Sequence, residues 1–273
     1  MFSDVYLVSE KLTVATEADV LASQQQLRCV FPAGYTEYAT ALGEGEFCGL
    51  IRCYLPGRIV SERAALRTML SASAHFWKYE GTPLTGQRLP ELIVIADTTN
   101  SDYIGFHPDD PSRIYILPRH SDLLIWTEQG LADAFQKALG TWTTDFRYFE
   151  SYCDRVSRQA HNDIPDFTSA IDDWLSTLGA PEHILDDAQR KQTAPQRMTL
   201  TMVDGKMQDT SNLKRSRMLF FQRFAGYIYH RRDASGRNTV RISYDALIQD
   251  PTPGLIQAHL RSAGFQFEGE RRA

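Results

Sequence analysis

The fifteen residues from Leu42 to Pro56 constrain this chain more than any others. Gly43 follows a segment of helical character and is suited to the left-handed conformation that ends a helix. Beyond it Phe47, Gly49, Ile51, Cys53 and Leu55 fall on one side, and Leu50, Arg52 and Tyr54 on the other. That is the period-two alternation of a strand with one buried face. A helix that stops on glycine and passes directly into a strand points to mixed α and β structure. The same glycines invite a phosphate-loop reading. The order helix, loop, strand is the reverse of what a dinucleotide loop needs, and Glu44 and Glu46 would repel phosphate. The glycines are therefore read as a structural turn.

The flanking sequence extends this pattern. Thr16 and Asp19 form a capping box opening a helix to about Leu27. Pro32 fits the first turn of a second helix ending near Leu42. Ser61 is placed to cap a third helix, in which Leu66, Met69, Leu70, Ser73, Phe76 and Trp77 recur at helical spacing. Gly81, Pro83, Gly86 and Pro90 break it. Three strands are expected over Glu91–Asp97, Asp102–His107 and Arg113–Pro118, with a shorter one through Leu123–Trp126. Their short links make neighbours antiparallel. Leu131, Phe135 and Leu139 mark another helix, and amphipathic spacing predicts two more over about 145–160 and 166–178. Thr177–Arg197 reads as a polar connector. After it come strands over Met198–Val203, Met218–Arg231 and Thr239–Tyr244, turns at Gly205 and Ser235-Gly236, and a helix over Pro253–Ala263 closed by Gly264.

Composition narrows the function classes. A hydrophobic share of 42% and a charged share of 23% are ordinary for a water-soluble globular chain. No apolar window is long enough for a membrane helix, and the start has no signal-peptide pattern. Four cysteines in 273 residues make no disulfide framework. The expectation is a cytoplasmic protein with reduced thiols and no membrane contact. The net charge of −5 conceals an asymmetry: residues 1–187 hold 14 Lys and Arg against 27 Asp and Glu, and residues 188–273 hold 15 against 7. An acidic body attracts basic partners. A tethered basic tail is expected to dock on that body in preference to nucleic acid.

The segment from about Thr13 to Gly140 resembles the SUKH superfamily, which includes bacterial immunity proteins and fungal regulators of cell-wall synthesis. The resemblance rests on Phe31-Pro32-x-x-Tyr35, Leu42-Gly43-x-Gly45-x-Phe47-x-Gly49 and Tyr54-Leu55-Pro56 in the first half. Glu91-Leu92-Ile93, Asp102-Tyr103-x-x-Phe106-x-Pro108 and Arg113-Ile114-Tyr115 follow in order. It implies an α+β fold with a curved antiparallel sheet and packed helices over residues 1–142. A helical extension and connector over 143–196 and a small basic α+β module over 197–273 complete the expected organisation. It also implies a non-enzymatic binder that neutralises a cognate bacterial toxin, such as a nuclease or deaminase, by covering its active site. An acidic body fits that role, since nuclease surfaces that hold phosphate are basic.

No catalytic constellation competes with this reading. Cys48 and Cys53 would point to opposite strand faces and cannot share a metal. The seven histidines lack metal-ligand spacing, and His107 and His120 are read as structural or surface groups. No nucleophile elbow occurs, so no metal, cofactor or catalytic residue is expected. Asp109-Asp110-Pro111 is turn chemistry. Glu44, Glu46, Asp97, Asp102, Asp109 and Asp110 are the candidate acidic contacts, and Tyr103 and Tyr115 the candidate aromatic anchors. The tail interleaves Lys214, Arg215, Arg217, Arg223, Arg231 and Arg232 with Phe220, Phe221, Phe224, Tyr227 and Tyr229. That pattern fits a core strand with solvated charge, and it also fits a stacking platform for a single nucleic-acid strand. The alternative function is accordingly a regulatory scaffold whose basic module contacts nucleic acid or pairs with a second copy of the chain.

Overall fold

The structure, a computed structural model, describes residues 2–140, 146–162, 174–186, 200–203, 206–209, 215–232, 237–268 and 271–272. Within them the chain is α+β and divides into two units. The first is Met1–Leu7 with Lys11–Cys153, and the second is Val8–Glu10 with Asp154–Ala273.

In the first unit Thr16 caps α1 (Glu17–Leu27) through the expected capping box with Asp19. The second helix, α2 (Tyr35–Ala41), starts behind Gly34, three residues later than Pro32. Gly43 then takes φ +77°. A Cβ there would lie 2.0 Å from the Thr13 carbonyl oxygen, so glycine is required for both conformation and space. The single strand expected over 47–55 is instead a hairpin: β2 (Gly45–Phe47) and β3 (Ile51–Cys53) pair antiparallel with Phe47 opposite Ile51. Cys48 (φ +52°) and Gly49 (φ +64°) turn the chain between them. Alternation is blind to this turn. Three loop residues preserve parity, so Phe47, Ile51 and Cys53 still share the buried face. Cys48 accordingly sits in the turn, not in a strand.

The third helix, α3 (Pro56–Ser73), begins with Pro56 in its first turn, so Ser61 lies inside it and caps nothing. Next come β4 (Ile93–Thr98), β5 (Tyr103–His107), β6 (Asp110–Leu117), β7 (Ile125–Thr127) and α4 (Leu131–Leu139), all close to expectation. The helix expected over 145–160 is absent. That stretch forms β8 (Tyr148–Ser151) and β9 (Arg155–Asn162), separated by Asp154 at φ +52°. Strand β8 lies inside the first sheet, parallel to β1 (Tyr6–Leu7) and antiparallel to β2. The sheet order is β1-β8-β2-β3-β4-β5-β6-β7. Its core gathers Phe2, Tyr38, Phe47, Phe135 and Phe149, whose rings meet mostly edge to face. Helix α3 packs on β4 and α4 on β6 and β7.

The second unit is built on β9. Strands β10 (His183–Asp186), β13 (Arg215–Phe221), β14 (Gly226–Arg232), β15 (Asn238–Asp245), β16 (Gln266–Phe267) and β17 (Arg271–Arg272) join it in the order β10-β13-β14-β15-β9-β16, with β17 also on β9. Strands β11 (Leu200–Val203) and β12 (Lys206–Asp209) pair separately. The single strand expected over 218–231 is two strands joined through a 3₁₀ turn at Gln222–Phe224 and Ala225 at φ +43°. Helix α5 (Thr252–Ser262) places Ile256 and Leu260 against Leu219, Phe221, Ile228, Val240 and Ile242. Gly264 follows at φ +81°.

The expected boundary at 177–197 is therefore replaced by a division at Cys153/Asp154, and β9 and β10 stand where a helical extension was expected. Most of the helix expected over 166–178, the turns at Gly205 and Ser235-Gly236, and residues 187–199 lie outside the described residues. Redrawing the boundary also changes the charge picture. Residues 154–273 hold 17 Lys and Arg against 15 Asp and Glu, so the second unit is nearly balanced.

Gly43→Ala is expected to cost at least about 2 kcal/mol, from positive φ plus the clash with Thr13. Urea unfolding of the full chain measures it.

Candidate partner-binding surface

The register of the first sheet lines up a row of polar side chains on the face opposite Phe47, Ile51 and Cys53. Glu150 pairs with Glu46, Arg52 with Asp97, and Asp97 with Tyr103. The row thus crosses β8, β2, β3, β4 and β5. Its hub is Asp97, whose side chain is 13% exposed. Arg52 Nε donates to Asp97 Oδ1 (2.6 Å) and the Tyr54 hydroxyl donates to Oδ2 (2.9 Å). Arg58 lies 3.9 Å from Oδ2, stacks 3.7 Å over the Tyr54 ring and donates to Glu62 (2.9 Å). At the other end the Tyr152 hydroxyl donates to Glu46 (3.2 Å).

The electrostatics follow from this placement. Burial pushes the Tyr54 phenol far above its ordinary range, and the neighbouring Asp97 charge adds to the shift. Burial and then Glu46 do the same to Tyr152. Desolvation disfavours the Arg52 cation, but the hydrogen bond and charge of Asp97 more than offset it. Both phenols therefore act here as neutral hydrogen-bond donors.

The eight residues expected at the surface separate into distinct settings. Glu46, Asp97 and Tyr103 lie in the row, and Tyr103 is half-buried. Asp102 closes the turn between β4 and β5: it accepts from the Thr98 hydroxyl (2.9 Å) and the Arg119 N–H (2.8 Å). Glu44 is exposed just before β2. Asp109 and Asp110 lie at the far end of β5, in the hairpin to β6. Asp109 is 79% exposed, whereas Asp110 is held by Arg113 and the Ser112 hydroxyl. Tyr115 is a correction. It is 2% exposed, packed between Gly105 and Trp126 on neighbouring strands, and it offers no surface to a partner. Sheet register sets it on the same face as Tyr103, two residues from the Leu117 that pairs with Tyr103, and there its side chain is covered.

Sequence reasoning missed Arg52, Arg58 and Tyr152 as members of this surface, and Tyr54, itself buried, as the donor beneath it. A signal existed for two of them, since Arg52 and Tyr54 share the polar side of the strand alternation. In the second unit Phe220, Phe221, Phe224 and Tyr227 are buried core residues. They form no stacking platform, while Tyr229 is half-buried and Arg231 exposed. Among the described residues, no group of three or more His, Cys, Asp or Glu side chains is arranged to hold a metal ion, and no helix is long and apolar enough to cross a membrane. No protein-family model, no curated protein and no solved structure matches this chain.

Asp97→Ala is expected to cost about 2 kcal/mol, because it strands the Tyr54 hydroxyl and a half-buried Arg52. In a double-mutant cycle with Tyr54→Phe the expected coupling is about 1 kcal/mol. Additive losses would mean that the two groups do not act together.

Proposed function

We propose that this chain is a non-enzymatic binding protein of the SUKH type that neutralises a cognate protein toxin by covering its active site. The observation that carries the reading is the Glu46–Arg52–Asp97–Tyr103 row. Every carboxylate in it whose contacts are described is engaged by a cation or a hydroxyl. That arrangement fixes side chains in place; it does not leave a base free to move protons. A sheet face whose polar groups are already oriented loses little entropy on association, which favours tight binding. The resemblance of residues 13–140 to SUKH proteins supports the same reading.

The toxin would approach the first unit, with Tyr103 as a partly buried anchor and Glu44 and Asp109 as exposed acidic contacts at the margins. Rim charges of this sort raise association rate and reject wrong partners. A basic nuclease-like surface is the complementary chemistry. The first unit suits it, since residues 1–153 hold 12 Lys and Arg against 19 Asp and Glu.

The test is co-expression with the product of the neighbouring open reading frame. The expected outcome is restored growth and a complex that survives purification. Glu44→Lys with Asp109→Lys is expected to weaken that complex at least tenfold, about 1.4 kcal/mol, and mainly through slower association. A toxic neighbour that is neither bound nor neutralised contradicts the pairing. Unchanged affinity in the charge-reversed variant contradicts the placement of the surface.

A further inference from the structure

His107 ends β5 at 2% exposure, and Pro108 and Asp109 form the short loop between it and its pairing partner Asp110. Two groups lie within hydrogen-bonding distance of its Nδ1, and both can only donate. They are Arg88 Nη2 at 2.9 Å and the Asp109 backbone N–H at 3.2 Å. Nδ1 must therefore present its lone pair, and the ring proton sits on Nε2, where it is donated to Glu91 Oε2 at 3.0 Å. The remaining charged neighbours are few. The Asp109 carboxylate lies 3.7 Å from both Nδ1 and Arg88. Asp110 is engaged by Arg113 on β6, Tyr115 on β6 feels the Arg88 charge, and Arg63 on α3 is occupied with the carbonyls of Glu91 and Leu92.

We propose that His107 is a proton-operated latch on the β5–β6 hairpin, exchanging Arg88 for the Asp109 carboxylate at Nδ1. A solvent proton arriving at Nδ1 turns the acceptor into a donor. Arg88 and the Asp109 N–H then both lose their partner, and a guanidinium cannot remain against an imidazolium N–H. Asp109 Oδ2 is the nearest acceptor and takes the new N–H, while Glu91 keeps Nε2–H. The hairpin tip thereby gains one positive charge and exchanges its partners. Asp109 Oδ2, 3.7 Å away in the neutral state, closes on Nδ1, and Arg88, already half-exposed, loses its imidazole partner. The latch is a property of the chain itself and stands apart from the partner-binding reading. If that reading also holds, acid would withdraw one of the acidic contacts.

The test is a titration of the uniformly labelled full chain from pH 8 to pH 5, following the His107 ring nitrogens, the Arg88 Nε–H and the Asp109 amide by nuclear magnetic resonance. The expected result is an Nε2–H tautomer at pH 8 and one shared step in which all three probes shift together. In His107→Gln the Arg88 and Asp109 probes are expected to lose that step. Because His107 is buried, Arg88→Met, at a half-exposed position, serves as the second variant: there the ring and the Asp109 amide should still move together. A ring protonated on Nδ1 at pH 8, a ring that stays neutral to pH 5, or a ring that titrates while Arg88 and Asp109 stay flat would each overturn the latch.

Discussion

A carboxylate held at 13% exposure on a sheet face must be satisfied where it stands, and the first unit is organised around meeting that need at Asp97. Each oxygen receives one strong donor, Arg52 on Oδ1 and Tyr54 on Oδ2. Both donors come from β3 and the residue after it. The carboxylate thus ties β3 to β4 beyond their backbone pairing and sets where Tyr54 points. Tyr54 in turn supports Arg58 at the start of α3, while its carbonyl accepts from the buried Tyr35 hydroxyl of α2 at 2.8 Å. One ion pair and one phenol therefore connect the polar face of the sheet to two helices.

The proposed binding role rests on the same network. Side chains already fixed by charge and hydrogen bonds present a defined pattern to a partner. Exposed acids such as Glu44 and Asp109 lie outside the network and remain available for long-range attraction. The second unit has a different character. Phe220, Phe221, Phe224 and Tyr227 lie buried in its core, and the charges of residues 154–273 nearly cancel.

Much of the first unit was legible in sequence because its signals are local. The capping box at Thr16, the left-handed Gly43, the three strands from Glu91 to Pro118 and the Leu131 helix all depend on neighbours within a few residues. The failures share a physical cause. Turns at Cys48–Gly49 and at Ala225 lack the Asn-Gly or Asp-Gly chemistry that marks hairpins, and the first preserves alternation across it. Residues 145–160 carry aromatics at spacings that satisfy a helix, yet β8 is stabilised by pairing with β1 and β2, which are distant in sequence. The site was half legible for the same reason. Individual acids and Tyr103 could be named, but the Arg52–Asp97 pair spans 45 residues and exists only through sheet order. Tyr115 went the other way, because alternation alone cannot tell a covered outer face from an open one.

Under the proposed function a partner sits on the polar row of the first sheet. Hydrogen–deuterium exchange of the chain, free and bound to the product of its neighbouring open reading frame, tests it most directly. The account predicts new protection in peptides covering residues 44–54 and 97–103, with residues 154–273 little changed. Protection confined to residues 154–273, in a complex that forms and neutralises its toxin, would contradict it.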